Sequence, residues 1–146
     1  DSKQNSFKLS YYIPVQIEKN RLIDQIQTIL KKNQINAAVI FSIDQIAHTG
    51  LLDIIPANAT KQHAVDYLRT SLGLTIDQVV YAGDSGNDLE PLTCGYKAIL
   101  VHNALPSVKE EVKKLAEKKG VQDKMYYAEG NYVSGILEGL RKFGYT

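Results

Sequence analysis

Apolar positions in the first third of the chain follow two different periods. Between residues 20 and 33 they recur with helical spacing and form one face of an amphipathic helix. The stretches FKLSYYI (7–13), AAVIFSI (37–43) and GLLDIIP (50–56) show the alternation or the short apolar runs that are typical of β-strands. The pattern therefore predicts the order β-α-β-β for residues 7–55, a small α+β layer.

Helices and strands alternate from about residue 60 to the last residue of the sequence. The pattern there predicts the order α-β-α-β-α-β-α, which is typical of parallel strands joined by right-handed crossovers. We therefore expect an α/β fold with two domains, 7–55 and 56–146. The elements expected in the second segment are a helix at 61–72 with Ala64, Val65, Leu68 and Leu72 inward and Gly73 as its end, a strand at 78–82, a short helix from Leu89, a strand at 97–101, a helix at 107–119 stopped by Gly120, a strand at 124–128 and a helix around 133–140.

Composition limits the class of protein. The chain has 146 residues, 44% of them hydrophobic and 23% charged, which is enough for a globular core. A formal charge of +1 gives no reason to expect a nucleic-acid partner or an anionic membrane surface. No apolar run approaches the ~18 residues of a membrane-spanning helix. Cys94 is the single cysteine and cannot form an internal disulfide. We expect a cytoplasmic protein with no nucleic-acid and no membrane partner.

The stretch VVYAGDSGNDLEPL, residues 79–92, carries the most specific chemistry. An apolar strand is followed at once by two glycines, a serine, an asparagine and two aspartates. Open α/β sheets bind ligands at the carboxyl ends of their strands. Asp84 and Asp88 are four residues apart, so a tight turn can bring both carboxylates to one side. Such a pair suits Mg²⁺, which prefers oxygen ligands and completes its shell with water and phosphate oxygens.

The other residues of this loop have both a functional and a structural interpretation. Gly83 and Gly86 allow φ values that are closed to other residues and let backbone N–H groups face an anion. Ser85 and Asn87 can brace the carboxylates. Alternatively, Asp88 could simply cap the helix that begins at the next residue. The complete polar run directly after an apolar strand favours the metal site.

Lys61 is a second candidate for chemistry. It stands at the predicted start of a helix in IIPANATKQHAV, next to a possible cap at Thr60. The helix dipole disfavours a cation at this end, so a bound anion could compensate the charge. A solvated surface lysine is the alternative.

Two of these motifs together resemble a known family. GDSGNDLEPL, preceded by Lys61 in PANATKQHAV, is similar to the haloacid dehalogenase superfamily of phosphohydrolases, in the branch with a large α/β cap that includes sucrose-phosphate phosphatase. FKLSYYI and GLLDIIPANATKQHAVDYL resemble a cap strand and the return from cap to core. The resemblance implies the carboxyl-terminal part of a Rossmann-like core at 56–146 and part of an α+β cap at 7–55.

The resemblance also implies a reaction. It is the Mg²⁺-dependent hydrolysis of a sugar phosphate through an aspartyl-phosphate, with sucrose 6-phosphate as the lead substrate. Lys61 matches the lysine that steadies the nucleophilic aspartate and the phosphoryl group. Asp84 matches an Mg²⁺ ligand, and Asp88 matches the second acidic residue, which ligates the metal directly or through water. Ser85 and Asn87 match polar positions of the same loop, which we assign to the metal and to the substrate, respectively.

Five further residues are candidates for holding the sugar. Lys8, Ser10 and Tyr11 lie on the strand that resembles the sugar-facing side of the cap, and Asp53 and Asn58 flank the return to the core. The alternation on the first strand also fits a plain half-exposed strand.

The sequence departs from the family at the nucleophile. The family's nucleophile and general acid come from an Asp-x-Asp motif, and no two aspartates in this sequence are separated by two positions. We therefore expect a fragment that begins inside the cap, is inactive alone, and has as its partner the missing amino-terminal part of the same protein. Alternatives are a module that binds phosphate or metal without turnover, or a phosphatase for mannosyl-phosphoglycerate or glucosylglycerol phosphate. A phosphoacceptor signalling fold is disfavoured because its aspartate is expected on an earlier strand.

Overall fold

The chain forms two compact units, Asp1–His63 and Ala64–Thr146. The computed structural model describes residues 4–44 and 46–145. Each unit has its own three-stranded sheet, antiparallel in the first and parallel in the second. The predicted α/β fold, with a parallel sheet flanked by helices, is confirmed.

The first unit has the predicted order of elements. Strand β1 (Leu9–Ile13) is followed by helix α1 (Lys19–Lys32) and by the hairpin of β2 (Ala37–Asp44) and β3 (Thr49–Pro56). The sheet order is β1-β3-β2, so β3 is central and pairs antiparallel with both neighbours. In this register Ser10 of β1 stands opposite Asp53 of β3, and their side chains therefore share one face of the sheet.

The second unit alternates helices and strands, as the apolar pattern predicts. Its parallel sheet has the order β4-β5-β6, and β4 pairs with β5 as expected. Among the described residues, β4 is hydrogen-bonded to a strand on one side only. The elements are α2 (Lys61–Ser71), which begins just before the unit boundary, β4 (Val80–Gly83), α3 (Leu89–Leu92), β5 (Lys97–Leu100), α4 (Pro106–Lys119), β6 (Met125–Tyr127) and α5 (Tyr132–Lys142). Gly120 ends α4 with a φ of 67°, the left-handed conformation expected of a helix stop.

The core of the second unit lies on both faces of β5. Successive strand residues point to opposite faces, and helices cover each face here. Ala98 and Leu100 belong to a buried cluster with Leu92 of α3 and Val112 of α4. On the other face, Ile99 belongs to a cluster against which α5 packs. The strand is therefore apolar throughout, and the carboxyl ends of all three strands are held at one edge of the sheet.

Two details differ from the sequence prediction. The strand expected at 78–82 begins only at Val80, because Ile76–Gln78 form a 3₁₀ turn. The side chain of Gln78 accepts the backbone N–H of Thr75 at 2.8 Å and fixes that turn. The inward placement of Ala64, Leu68 and Leu72 is wrong, since all three residues are exposed, Leu68 and Leu72 to 59% and 62%. Helical periodicity identifies the apolar face of α2 but not what covers it.

Within 4–44 and 46–145, the structure contains no helix with both the length and the apolar character that crossing a bilayer requires.

Candidate functional site

The polar loop begins where β4 ends. Gly83 is the last residue of the strand, Asp84 follows it, and Gly86–Asp88 form a 3₁₀ turn that leads into α3. A Cβ added to Gly83 would lie 2.6 Å from the Cβ of Asp88. Neither Gly83 nor Gly86 has a positive φ, so the conformational freedom that glycine allows is not used at these two positions. Gly83 is required here because the Asp88 side chain occupies the space that any larger residue would need.

The carboxylate of Asp88 is buried and holds the loop together. Its Oδ2 accepts the backbone N–H groups of Asp84 at 3.2 Å and Ser85 at 3.1 Å, and the Ser85 hydroxyl at 2.9 Å. Its Oδ1 accepts the phenolic O–H of Tyr81 at 2.7 Å. Donors from Tyr81, Asp84 and Ser85 therefore compensate one buried negative charge.

The capping alternative for Asp88 has a clear structural answer. Asp88 occupies the N-cap position of α3, but its side chain makes no capping hydrogen bond to that helix. The carboxylate bonds back to Asp84 and Ser85 instead. Asp88 therefore stabilises the loop that precedes it and not the helix that follows.

Tyr81 is a residue that the sequence reasoning did not single out. Burial, followed by the hydrogen bond to Asp88 and the nearby charges of Asp88 and Asp84, raises the pKa of Tyr81 above its usual 10.0. The phenol is therefore protonated at neutral pH and is a permanent donor to the Asp88 carboxylate. The presence of a tyrosine on the strand that leads into the loop could have indicated a hydrogen bond to one of the loop carboxylates.

The carboxylate of Asp84 is held from the next strand. Nδ2 of Asn103 donates to Oδ2 of Asp84 at 2.7 Å, and Oδ1 of Asn103 accepts the backbone N–H of Tyr132 at 2.8 Å. Asn103 follows β5 and Tyr132 follows β6, so the three residues meet at the carboxyl edge of the parallel sheet. The sequence analysis did not identify Asn103 as a site residue. Its position just after the strand predicted at 97–101, which was expected to pair with β4, could have indicated it.

Ser85 and Asn87 lie inside the same turn. The Ser85 hydroxyl is 2.6 Å from Oδ1 of Asn87 and 2.9 Å from Oδ2 of Asp88, and its single proton serves one of them at a time. Ser85 therefore contacts the Asp88 carboxylate directly, as its expected bracing role requires, and Asn87 contacts Ser85.

The carboxylate oxygens of this loop fit part of the coordination shell of Mg²⁺. Oδ1 of Asp84 has no hydrogen-bond partner among the described residues, whereas both oxygens of Asp88 accept protein donors. Residues 4–44 and 46–145 gather no group of three acidic, histidine or cysteine side chains suited to a metal. Mg²⁺ commonly takes one or two carboxylates and fills its shell with water and phosphate oxygens. The loop thus matches a cation that is held only partly by protein.

Lys61 lies at the amino end of α2, as predicted. The side-chain oxygen of the buried Thr60 accepts the backbone N–H of His63 at 3.2 Å, which confirms Thr60 as the helix cap. Lys61 itself is exposed, and it is the first helical residue. Its charge therefore stands at the helix end whose dipole favours anions.

The candidate sugar-binding residues of the first unit are only partly brought together. Lys8 Nζ is 2.9 Å from Oδ2 of Asp53, and the Ser10 hydroxyl donates to Oδ1 of Asp53 at 2.6 Å. Tyr11 pairs with the buried Leu52 and so lies on the opposite face of the sheet from Ser10. Asn58 is exposed in the turn after β3.

Comparison with known proteins gives a consistent family. The sequence model of the sucrose-6F-phosphate phosphohydrolase family matches residues 1–144. A protein of Nitrosococcus oceani named as a HAD-like hydrolase is 41% identical over 97% of this chain and 40% of its own length. Mannosylfructose-phosphate phosphatase of Agrobacterium fabrum is 29% identical over 84% of this chain and 45% of its own length.

A solved structure agrees with the sequence matches. The sucrose-phosphatase of a Synechocystis species, crystallised with sucrose and phosphate, superposes with a TM-score of 0.80 at 28% identity. The match covers 96% of this chain and 53% of that protein. The chain thus spans about half, or somewhat less, of the length of the relatives that it matches.

Proposed function

The chain belongs to the sucrose-6F-phosphate phosphohydrolase family, and we propose that the full-length protein hydrolyses the phosphate ester of a sugar, with sucrose 6-phosphate as the lead substrate. One observation carries the proposal: Asp84 stands at the carboxyl end of β4, its Oδ2 accepts a hydrogen bond from Asn103, and its Oδ1 has no partner among residues 4–44 and 46–145. This is the arrangement expected of a carboxylate that ligates a cation beside a phosphate.

The residues of the loop have separate roles in this proposal. Asp84 would hold Mg²⁺, which when bound offsets the negative charge of the phosphoryl group. Asp88 keeps Asp84 and Ser85 in place through their backbone N–H groups. Because both oxygens of Asp88 already accept hydrogen bonds from the protein, we assign it this positioning role and leave any contact with the metal to a bridging water. Ser85 and Asn87 complete the turn, and in this proposal they would contact the metal and the phosphate, respectively.

Lys61 would supply a positive charge to the phosphoryl group. The start of α2, which Thr60 caps, also carries the partial positive charge of the first backbone N–H groups of that helix. The nucleophile implied by the family is an aspartate of an Asp-x-Asp motif, which these 146 residues do not contain. Formation and hydrolysis of an aspartyl-phosphate are therefore proposed for the full-length protein, in which residues 7–55 form part of the cap and 56–146 part of the core.

The sugar would be recognised by the face of the first unit's sheet that carries Ser10 and Asp53. Asp53 presents a carboxylate between the Lys8 ammonium and the Ser10 hydroxyl, a group of donors and acceptors that suits sugar hydroxyls. Asn58 would add an amide beside the return to α2. Tyr11 lies on the opposite face of this sheet, so its proposed contact is the weakest of the set.

Phosphate release by the purified full-length protein tests the proposal. Sucrose 6-phosphate is compared with mannosylfructose phosphate and a small hexose phosphate, with and without Mg²⁺. We expect the hydrolysis to depend on Mg²⁺ and sucrose 6-phosphate to give the highest kcat/KM of the three substrates.

Asp84→Asn should abolish this hydrolysis, because the amide keeps the shape of the side chain but removes the charge that a hard divalent cation requires. Asp123→Asn, in the exposed turn before β6, is the matched control.

Each outcome has a defined meaning. Preference for another phosphorylated sugar keeps the phosphatase and changes the substrate. Binding of Mg²⁺ and phosphate without turnover would make the protein a binding module. Equal activity of wild type and Asp84→Asn at every Mg²⁺ concentration would contradict the proposed site.

A further inference from the structure

We propose that Asn103 is a positioning residue that fixes the side chain of Asp84, so that Oδ2 stays on the protein and Oδ1 is presented to the cation. The inference rests on the proposed function of the loop and adds a residue outside it. Asn103 reaches Asp84 from the end of the neighbouring strand, 19 residues further along the chain.

The two hydrogen bonds of Asn103 define one orientation of its amide. Nδ2 donates to a carboxylate oxygen, and Oδ1 accepts a backbone N–H. The flipped amide would place its oxygen against the carboxylate and its NH₂ against the N–H of Tyr132, which satisfies neither partner. Asn103 therefore holds Asp84 in one orientation of its amide, in which one carboxylate oxygen accepts the hydrogen bond and the other faces away from Asn103.

The partner on the far side of Asn103 is itself held in an unusual conformation. Tyr132 has a φ of 46°, in the left-handed region that residues other than glycine rarely adopt. This conformation occurs at the first residue of α5, and it accompanies an N–H group that points at Oδ1 of Asn103. The hydrogen bond to Asn103 helps to compensate the strain that this conformation carries.

The loop before Tyr132 is anchored independently. Glu138 of α5 accepts the backbone N–H groups of Glu129 at 3.0 Å and Gly130 at 2.9 Å. A Cβ on Gly135 would lie 2.2 Å from the carbonyl oxygen of Gly130, so the loop rests directly on the helix backbone. The backbone N–H of His102 donates to that same carbonyl at 3.0 Å. Asn103 therefore links Asp84 to a rigid support and not to a free surface loop.

A rigid support has a consequence for cation binding. Residues that hydrogen-bond to a metal ligand and fix its orientation commonly raise the metal affinity by roughly 10–100-fold. Without Asn103, Asp84 would gain rotamer freedom and could turn either oxygen toward its own protein. The cost would appear in the affinity for Mg²⁺ more than in the rate at saturating Mg²⁺.

The test uses the full-length protein with Asn103→Ala, and Asn33→Ala as its matched control. Asn33 donates a side-chain hydrogen bond of 2.8 Å to the carbonyl of Ile29 in α1, so the control removes an amide contact of similar length elsewhere. Isothermal titration calorimetry measures the Mg²⁺ Kd directly, and phosphate release gives kcat at saturating Mg²⁺. If Asn103→Ala does not fold, Asn103→Leu replaces it, since leucine fills the volume of asparagine without its hydrogen bonds.

We expect Asn103→Ala to raise the Mg²⁺ Kd by about tenfold or more, with a smaller change of kcat at saturating Mg²⁺, and Asn33→Ala to leave the Kd unchanged. An unchanged Kd in Asn103→Ala and Asn103→Leu would overturn the inference while the proposed function stands. An Mg²⁺-independent wild type would overturn both, and that result is seen before any Asn103 variant is made.

Discussion

The phenolic hydroxyl of Tyr81 lies 2.7 Å from Oδ1 of the Asp88 carboxylate, so the strand that leads into the candidate site is bonded to the residue that closes it. Both side chains belong to the region around β4, yet seven positions separate them. The pair couples the conformation of the loop to the stability of the sheet.

Tyr81→Phe should lower the free energy of unfolding by about 2 kcal/mol, the usual size of a hydrogen bond to a charged partner. Tyr81→Phe should lower the free energy of unfolding much less when it is introduced into the Asp88→Asn variant. The charged acceptor is then already absent, so the effects of the two substitutions are not additive. Urea denaturation of the two single variants and the double variant measures the coupling. Tyr67→Phe is the control, since the Tyr67 side chain is 71% exposed. Full additivity would contradict the coupling.

Gly83→Ala should destabilise the protein and weaken its response to Mg²⁺. A methyl group there would lie 2.6 Å from Cβ and 2.7 Å from Cγ of Asp88, so the carboxylate must move off the loop. Gly120→Ala is the comparison, because it meets no atom within 4 Å and costs only the left-handed φ, about 1 kcal/mol. The measurements are the melting temperature and the Mg²⁺ concentration at half-maximal activity. Equal effects of the two substitutions would argue against the proposed contact.

Stability should depend on pH through Glu138. The hydrogen bond from Tyr126, with those from the N–H groups of Glu129 and Gly130, lowers the pKa of Glu138 below its usual 4.5. A lowered folded-state pKa gives stability that is complete above the unfolded value and is lost as the pH falls through the folded value. The melting temperature of Glu138→Gln should therefore lie below wild type at neutral pH, and the gap should close in acid. Glu110→Gln, at an exposed position, should show no such convergence.

Lys61→Ala should lower kcat more than it raises KM for the phosphorylated substrate. A positive charge that stabilises the transferring phosphoryl group acts most strongly in the transition state. Steady-state kinetics of the full-length protein at saturating Mg²⁺ separates the two constants, with Lys113→Ala on the exposed face of α4 as the control. A change confined to KM would assign Lys61 to ground-state binding alone.

The 146-residue chain by itself should not turn over sucrose 6-phosphate. It contains Asp84, Asp88 and Lys61 but no Asp-x-Asp motif, and loss of a covalent nucleophile typically costs several orders of magnitude in rate. Phosphate release by the purified chain measures this. A kcat near the enzyme median of ~10 s⁻¹ would show that another residue is the nucleophile.

Most of the fold could be predicted because each element carries its own pattern. The parallel pairing of β4 with β5 follows from the alternation of helices and strands, and Gly120 marks the end of α4. The start of β4 was misplaced because Thr75 and Gln78 form a local turn that competes with the strand. The capping sequence Thr-x-x-Gln was visible there and indicates that turn.

The site was predictable only as far as it is local in sequence. Asp84 and Asp88 lie within one loop, and their spacing within a polar run directly after an apolar strand predicted a shared site. The contribution of Asn103 depends on which strands are neighbours, since its partners Asp84 and Tyr132 follow two other strands. Predicting which residues share a face of the first sheet requires the register of β1 against β3. That register places Tyr11 and Ser10 on opposite faces.

The contact between Gly130 and Gly135 offers a genetic tool. Alanine at position 135 would push the helix away from the carbonyl that also receives the His102 N–H, so the damage would fall on the edge of the sheet that bears Asp84. Such a steric defect leaves every polar group of the site in the sequence and acts only through packing. Gly135→Ala is therefore the natural choice for a temperature-sensitive allele, in which a cell loses and regains the protein by a change of growth temperature.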